Sequence, residues 1–183
     1  AKIVNIPYEN VRDVYKNVFQ KSNGTLNELV GKFCNDLGIS NTENLNNFFI
    51  GKFSDNNINN TISNDKITLI RDLKENGYKV ILFSNSCCLL NNNAIKEIYD
   101  VFYSYDIGYT KDDKESYQYV EKTLNVKPAE ILHIGDTLKS DYLKPVENDW
   151  NALFYGVSDD ESVNCISSLM ELYDFFDIRT SKK

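Results

Sequence analysis

The sequence predicts an α/β protein with a parallel, Rossmann-like sheet flanked by helices and a small helical region inserted near the N-terminus. Helical patterns fill the first sixty or so residues without strands between them, whereas strand-like and helical segments alternate from about residue 64 onward. Such alternation is typical of parallel sheets joined by right-handed crossovers. We therefore assign residues 1–7 and 63–183 to the α/β core and residues 8–62 to the helical region.

Length and composition are those of an ordinary globular protein. The chain has 183 residues, of which 42% are hydrophobic and 26% are charged, enough for one domain with a substantial core. The net charge of −7 argues against a nucleic-acid partner. We expect a cytoplasmic protein with no membrane partner, because the sequence shows neither a bilayer-length apolar run nor a signal-peptide pattern. Its four cysteines lack metal-ligand spacing, and we expect them to be reduced.

The N-terminal region is predicted to contain a short strand followed by helices. Residues 1–6 are short, apolar and β-branched, which is typical of a strand. Apolar residues then recur at helical spacing between residues 8 and 21. Thr25 and Glu28 have the spacing of a capping box at the start of a second helix. A third helix is predicted over residues 42–51.

The core is predicted from strands and helices that follow one another in turn. The continuous apolar run at residues 78–83 is typical of a parallel strand that is covered on both faces. The predicted strands cover residues 78–83, part of 101–107, 131–134 and 150–155. The predicted helices cover residues 65–76, 90–98, 115–124, 138–148 and 165–176.

Polar side chains follow three of these predicted strands. Ser84 and Asn85 follow the first strand, and Lys111 follows the second. Asp136 follows the third, and Asp141 lies five residues further on. Because ligands bind beyond the carboxyl ends of parallel strands, we expect these loops to open on one edge of the sheet. A hydroxyl, an ammonium and carboxylates at that edge could bind a phosphoryl group and its Mg²⁺.

Each of these residues also has a plain structural explanation. Ser84 could be a turn residue, Lys111 a solvated charge and Asp136 a helix N-cap. His133 lies within a predicted strand, which is more typical of a core or supporting residue than of a catalyst. The shared place of the polar residues at strand ends favours a common site over separate coincidences.

The order of these motifs resembles the haloacid dehalogenase superfamily of phosphohydrolases. The segment from Tyr105 to Tyr117 is similar to the third motif of that family, with Lys111 at its lysine position. Asp136 and Asp141 match the two acids of the fourth motif. The second motif, a Ser or Thr after an apolar strand, is matched by the serine that follows residues 78–83. The helical region at residues 8–62 is similar to the small helical cap that follows the first strand in one subclass, so the resemblance implies that these residues form a cap.

The resemblance implies a Mg²⁺-dependent phosphohydrolase that acts on a small, soluble phosphorylated metabolite. Ser84 and Asn85 would bind the phosphoryl group. Lys111 would also bind it and would stabilise the nucleophile and the developing charge, so that Ser84 and Lys111 are the implied catalytic residues. Asp136 and Asp141 would form the metal site, with Asp136 as the ligand and Asp141 supporting it from nearby.

The sequence departs from the family at the first motif, an Asp-x-Asp pair whose first acid is the nucleophile that forms an aspartyl-phosphate. No such pair occurs before the predicted cap. Either the motif precedes this sequence, or Asn5 and Pro7 occupy the acid positions and the protein is a non-catalytic binding or interaction module. The spacing between the first strand and the cap favours the former. A receiver-like signalling domain shares the acids and the lysine, but the helical insertion argues against it.

Overall fold

A computed structural model describes residues 6–55, 62–90 and 100–178. These residues form a mixed α/β fold in which parallel strands are accompanied by helices, and the predicted fold class is confirmed. The chain divides into two compact units. The first unit comprises residues 1–60, 82–97 and 101–110, and the second comprises residues 61–81, 98–100 and 111–183.

The elements follow one another along the chain with short connections. The helices are α1 (Tyr8–Tyr15), α2 (Leu26–Asp36), α3 (Glu43–Asp55), α4 (Asn64–Glu75), α5 (Ser104–Ile107), α6 (Lys114–Leu124), α7 (Lys144–Glu147) and α8 (Leu172–Phe175). The strands are β1 (Ile81–Ser84), β2 (Asp100–Tyr103), β3 (Leu132–Gly135), β4 (Asn151–Tyr155) and β5 (Cys165–Ile166). Within the described ranges, no helix has the length and apolar character needed to cross a bilayer.

Several short turns of other helical types join these elements. π-helical turns cover Lys16–Gln20 and Leu138–Leu143. Single 3₁₀ turns cover Cys88–Leu90, Pro128–Glu130 and Leu169–Glu171. The second π-helical turn follows β3 closely, which is of interest because such turns are often found at functional sites.

The strands of the second unit form a parallel sheet in the order β3–β4–β5. Leu132 lies opposite Asn151 between β3 and β4, and Phe154 lies opposite Cys165 between β4 and β5. Strands β1 and β2 pair with each other in a separate sheet. The parallel arrangement places the carboxyl end of β3 beside that of β4.

Aromatic rings form the core of the first unit. Phe19 is fully buried, and its ring centroid lies 4.9 Å from that of Phe49 and 5.0 Å from that of Tyr15. The centroids of Phe33 and Phe53 each lie 5.7 Å from it. Phe19 therefore joins α2, α3 and the first π-helical turn, and its burial holds these helical elements together.

The capping box predicted at the start of the second helix is present. The amide of Glu28 donates a hydrogen bond to Thr25 Oγ1 at 3.4 Å, and the amide of Thr25 donates to the Glu28 carboxylate at 2.8 Å. Helix α2 ends at Asp36, and Gly38 follows with a φ of +65°. Glycine adopts this left-handed conformation without a steric penalty, which explains why the helix stops there.

The core of the second unit packs α4 and the C-terminal segment against the sheet. Its buried side chains are Leu69, Leu73, Leu153, Ile166, Leu172 and Ile178. A polar contact reinforces this packing, because the Tyr173 hydroxyl donates a hydrogen bond of 2.7 Å to the Asp72 carboxylate. This bond ties the C-terminal segment to α4.

The first part of the helix predicted over residues 165–176 is wrong. Cys165 and Ile166 form β5, and helical structure begins only with the 3₁₀ turn at Leu169–Glu171, which α8 continues to Phe175. The amide of Gly156 donates to the carbonyl of Ile166 at 3.0 Å, which adds this segment to the sheet. The pairing of Cys165 and Ile166 with β4 therefore outweighs the local preference of this segment for a helix, as tertiary context often does.

Other predicted elements differ at their ends. The strand predicted at residues 78–83 begins only at Ile81, and the one predicted within residues 101–107 ends at Tyr103, where α5 begins. The helix predicted at residues 138–148 consists of the second π-helical turn followed by α7.

The remaining predictions hold to within a few residues or fall outside the described residues. The helices predicted at 8–21, 42–51, 65–76 and 115–124 and the strands predicted at 131–134 and 150–155 are confirmed. The predicted strand at residues 1–6 falls almost wholly on residues 1–5, and the helix predicted at 90–98 falls on residues 91–99; both of these ranges lie outside the described residues.

Replacing Phe19 with alanine should destabilise the first unit strongly. The substitution removes a fully buried ring that contacts several others, so we expect the free energy of unfolding to fall by about 3–5 kcal/mol. Phe48→Ala is the matched control, because Phe48 is 42% exposed and its loss should cost far less. Chemical denaturation of both variants tests the assignment, and equal losses would contradict it.

Candidate functional site

Two acids, Asp136 and Asp141, follow β3, and the turn between them brings Asp141 back against the strand. Strand β3 ends at Gly135, and Asp136 follows it with an exposed side chain. The π-helical turn then begins, and the amide of Asp141 donates a hydrogen bond to the carbonyl of Thr137 at 2.8 Å. The side chain of Asp141 is only 7% exposed. The turn thus separates one exposed acid from one buried acid.

Gly135 is required by the close approach of Asp141. A Cβ atom built on Gly135 would lie 2.6 Å from both Cβ and Cγ of Asp141 and 2.7 Å from its Oδ2. Contacts under about 3 Å are not tolerated by carbon atoms in a packed interior. The glycine of the Gly-Asp pair therefore makes room for the buried carboxylate.

Lys111 forms an ion pair with this buried carboxylate. Its Nζ donates to Asp141 Oδ1, and the lysine side chain is only 10% exposed. The backbone at Lys111 is held as well, since the Tyr117 hydroxyl donates to the Lys111 carbonyl at 2.9 Å. Tyr117 lies on α6, which begins three residues after Lys111. The residues just before α6 and the π-helical turn after β3 thus supply the two charged partners.

The Asp141 carboxylate accepts hydrogen bonds on both of its oxygens. The amide of Thr137 donates to Oδ2 at 3.0 Å. Besides Lys111, two side chains approach Oδ1, namely Ser140 Oγ and His133 Nε2, each at 3.3 Å. A carboxylate has about four lone-pair directions, so these partners engage most of its capacity.

The ionised form of Asp141 is strongly favoured. Burial by itself would raise the pKa of Asp141, but hydrogen bonds from His133, Lys111 and the Thr137 amide, together with the lysine charge, hold that pKa well below its ordinary value. A buried carboxylate that stays ionised needs such partners. Asp141 is therefore a fixed negative charge that can hold the Lys111 ammonium.

The neutral form of His133 is favoured instead. Burial lowers the pKa of this imidazole, and the nearby Lys111 charge acts in the same direction. The hydrogen bond to Asp141 and the charge of that carboxylate oppose this effect only in part. His133 is a polar but neutral neighbour of the ion pair at ordinary pH.

The structure brings together two of the predicted site residues, Lys111 and Asp141, and places the exposed Asp136 five residues before Asp141. Ser84 ends β1 and Asn85 follows it, and both belong to the first unit. Their part in the site stays a prediction. No group of three or more His, Cys, Asp or Glu side chains that could hold a metal ion occurs among the described residues.

Two supporting residues were not singled out by the sequence. Tyr117 holds the Lys111 backbone, and Trp150 packs edge-on against Tyr117 with ring centroids 4.9 Å apart. Tyr117 ends the segment that resembles the third motif but was given no role in it, and Trp150, just before β4, lies in no motif. Helical spacing after Lys111 could have indicated Tyr117 as an inward residue, but nothing in the sequence indicated its partner.

The sequence matches the haloacid dehalogenase-like hydrolase family over residues 7–143. The chain belongs to this family. The resemblance drawn from the motifs is confirmed, and Lys111, Asp136 and Asp141 all fall within the matched range.

One curated relative is an uncharacterised hydrolase of Schizosaccharomyces pombe, which is 30% identical to this chain over 95 residues. The match covers 46% of this chain and 42% of the relative. The chain thus matches less than half the length of that protein.

Solved structures of the haloacid dehalogenase family share the fold. A 2-haloacid dehalogenase from Pseudomonas syringae is 12% identical with a TM-score of 0.62, and the match covers 96% of this chain and 83% of that one. A phosphatase from Thermococcus onnurineus is 16% identical with a TM-score of 0.57, covering 93% and 92% of the two chains. A family enzyme from Bacteroides thetaiotaomicron, in complex with magnesium and inorganic phosphate, is 18% identical with a TM-score of 0.56, covering 86% and 91%.

Adding a side chain at Gly135 should displace Asp141 and destabilise the protein. In Gly135→Ala, the new Cβ would overlap the carboxylate group, and we expect the free energy of unfolding to fall by about 1–3 kcal/mol, the usual cost of overpacking. Gly31→Ala is the control, because nothing lies within 4 Å of a Cβ at that helical position. It should be neutral or stabilising by up to about 1 kcal/mol. Thermal unfolding compares them, and equal stability of the two variants would contradict the predicted overlap.

Stability should decrease as pH falls below about 6.5, the ordinary pKa of histidine. The folded state holds the pKa of His133 below that value, so between the two pKa values the unfolded chain binds a proton that the folded chain does not. The loss is limited to about 1.4 kcal/mol per pH unit. In His133→Gln, the free energy of unfolding should lose this part of its dependence on pH between about pH 7 and pH 5, as measured by chemical denaturation. An unchanged slope in the variant would contradict the prediction.

Proposed function

We propose that the protein is a Mg²⁺-dependent phosphohydrolase that acts on a small phosphate ester. The observation that carries this proposal is the buried ion pair of Lys111 with Asp141, set beside the carboxyl end of β3. Ligands of open α/β sheets bind beyond the carboxyl ends of the strands. The pair therefore stands where a substrate of this fold is expected.

A lysine in this position is costly unless its charge is used. Removing an ammonium and a carboxylate from water costs several kcal/mol per ion, and their mutual attraction recovers that cost only with good geometry. Apolar residues of similar size would give comparable stability. An ammonium fixed in place by Asp141 is, however, well suited to stabilise the negative charge that develops on a phosphoryl group.

Asp136 fits the role of the Mg²⁺ ligand. Mg²⁺ is usually bound through one or two carboxylates together with water and substrate phosphate oxygens, so a cage of three protein acids is not required. Asp136 offers an exposed carboxylate at the end of β3. Both oxygens of Asp141 already accept hydrogen bonds from the protein, so we assign Asp141 a supporting place through Lys111. The bound ion would polarise a phosphoryl oxygen and neutralise its charge.

The other roles come from the resemblance to the family. Ser84 and Asn85 would bind the phosphoryl group through the Ser84 hydroxyl and the Asn85 amide. The nucleophile would be the first aspartate of the family's first motif. Its carboxylate would attack phosphorus to form an aspartyl-phosphate, while the ester oxygen would leave with a proton from the second acid of that motif. Water would then hydrolyse the aspartyl-phosphate and release inorganic phosphate.

Family membership supports hydrolysis, and the charges of the site favour a phosphate ester over a haloacid. The structural relatives include both a phosphatase and a dehalogenase. A phosphoryl group is highly charged and gains most from a cation and a metal ion, whereas a carbon–halogen bond carries no net charge. The combination of Lys111 with an exposed Asp136 therefore favours phosphoryl transfer.

Hydrolysis of p-nitrophenyl phosphate by the full-length protein tests the proposal. We expect turnover that EDTA abolishes and added Mg²⁺ restores. Asp136→Asn and Lys111→Met should each lower kcat/KM by about 100-fold or more, because each removes a charge that acts on the transition state. Asp159→Asn and Lys114→Met, at exposed positions, are matched controls that should retain activity.

Three results would contradict the proposal. Turnover in Asp136→Asn with unchanged Mg²⁺ dependence would exclude Asp136 as the ligand. Release of halide from a 2-haloacid without phosphatase activity would indicate a dehalogenase. Absence of both activities, with phosphate binding or without it, would indicate a non-catalytic module.

A further inference from the structure

His133 is buried directly behind the ion pair of the candidate site. It lies in the middle of β3 with 9% of its surface exposed, and its Nε2 is 3.3 Å from Asp141 Oδ1. Because an ionised carboxylate can only accept hydrogen bonds, Nε2 must carry a hydrogen and donate it. The geometry thereby fixes which ring nitrogen is protonated.

Lys111 and His133 share one oxygen of Asp141. The ammonium of Lys111 and the imidazole of His133 both donate to Oδ1, while Oδ2 accepts from the backbone of the π-helical turn. The imidazole therefore limits rotation of the carboxylate about its last torsion angle, which is otherwise broad in aspartate. A carboxylate held in this way binds the Lys111 ammonium in a single position.

Aromatic side chains hold both donors in place. The rings of His133 and Trp150 pack with centroids 6.3 Å apart, and Trp150 Nε1 donates to the Glu121 carboxylate at 2.8 Å. Trp150 also packs edge-on against Tyr117, whose hydroxyl donates to the Lys111 carbonyl. One aromatic pair therefore contacts the histidine on one side and the lysine backbone on the other.

We propose that His133 is a positioning residue that fixes the Lys111 ammonium for transition-state stabilisation by donating a hydrogen bond to Asp141. The proposal rests on the proposed phosphohydrolase function for its catalytic consequence. It assigns His133 no contact with the substrate. Groups that orient metal ligands through hydrogen bonds commonly contribute 10- to 100-fold to activity, and we expect an effect of that order for a group that orients the partner of Lys111.

Two substitutions distinguish the effect of the His133 hydrogen bond from the effect of its packing. His133→Phe keeps a ring of similar size against Trp150 but removes the donor. His133→Gln removes the ring but can place an amide N–H near the position of Nε2. Tyr173→Phe is the control, because it removes one side-chain hydrogen bond of the same unit, to Asp72, away from the ion pair.

The first measurement needs no activity. In the full-length protein labelled with ¹⁵N, long-range ¹H–¹⁵N spectra should show His133 as the neutral tautomer with hydrogen on Nε2 near pH 7. Spectra of the His133→Phe variant should show shifted resonances for the Lys111 ε-methylene group, and those of Tyr173→Phe should not. A hydrogen on Nδ1, or unshifted Lys111 resonances in His133→Phe, would overturn the proposal.

The second measurement is the steady-state hydrolysis of p-nitrophenyl phosphate with Mg²⁺. We expect His133→Phe to lower kcat by about tenfold or more with little change in KM, and His133→Gln and Tyr173→Phe to stay within about threefold of wild type. Equal losses in Phe and Gln variants would show a packing role, and wild-type rates in both would show no role; either result overturns the proposal.

The two measurements distinguish the ways in which the inference could fail. If the wild-type protein hydrolyses no phosphate ester, the proposed function is wrong. The spectra then still decide whether His133 positions Lys111. If the wild-type protein is active but His133→Phe and His133→Gln have the same kcat, the positioning role alone is overturned.

Discussion

The buried ion pair between Lys111 and Asp141 is the interaction on which the candidate site depends. It joins the start of α6 to the turn after β3, and it places two charges where water is largely excluded. Such a pair needs further hydrogen bonds to repay the loss of hydration. The Thr137 amide, Ser140 and His133 supply these bonds, and their arrangement follows from the π-helical turn and from the absence of a side chain at Gly135.

The two compact units are stabilised by different kinds of interaction. The first unit is stabilised chiefly by packed aromatic rings around Phe19, which are apolar and tolerate no charge among them. Burial raises the pKa of the Cys87 thiol to about 12, so this cysteine of the first unit is a poor nucleophile at ordinary pH. Among its described residues, the second unit combines an aliphatic core with a buried polar network around Asp141.

Much of the fold and part of the site could be predicted from local pattern. The capping box at Thr25, the helical spacing of the N-terminal helices and the apolar strands all act over a few residues. The first residues of the helix predicted over 165–176 form a strand instead, because their pairing with β4 depends on residues outside the segment. Lys111 and Asp141 were recognised as site residues by motif, but their direct pairing was not, since 30 residues separate them along the chain.

The sequence by itself determined the α/β class, the helices that precede the alternating segments and the family motifs, because these depend on periodicity and on the order of residues. Only the tertiary structure decided which acid is exposed and which is buried, since both lie in one polar segment. It also decided that His133 contacts Asp141 and that Trp150 packs beside it. The physical reason is that burial and hydrogen-bond partners arise from segments that the folded chain brings together.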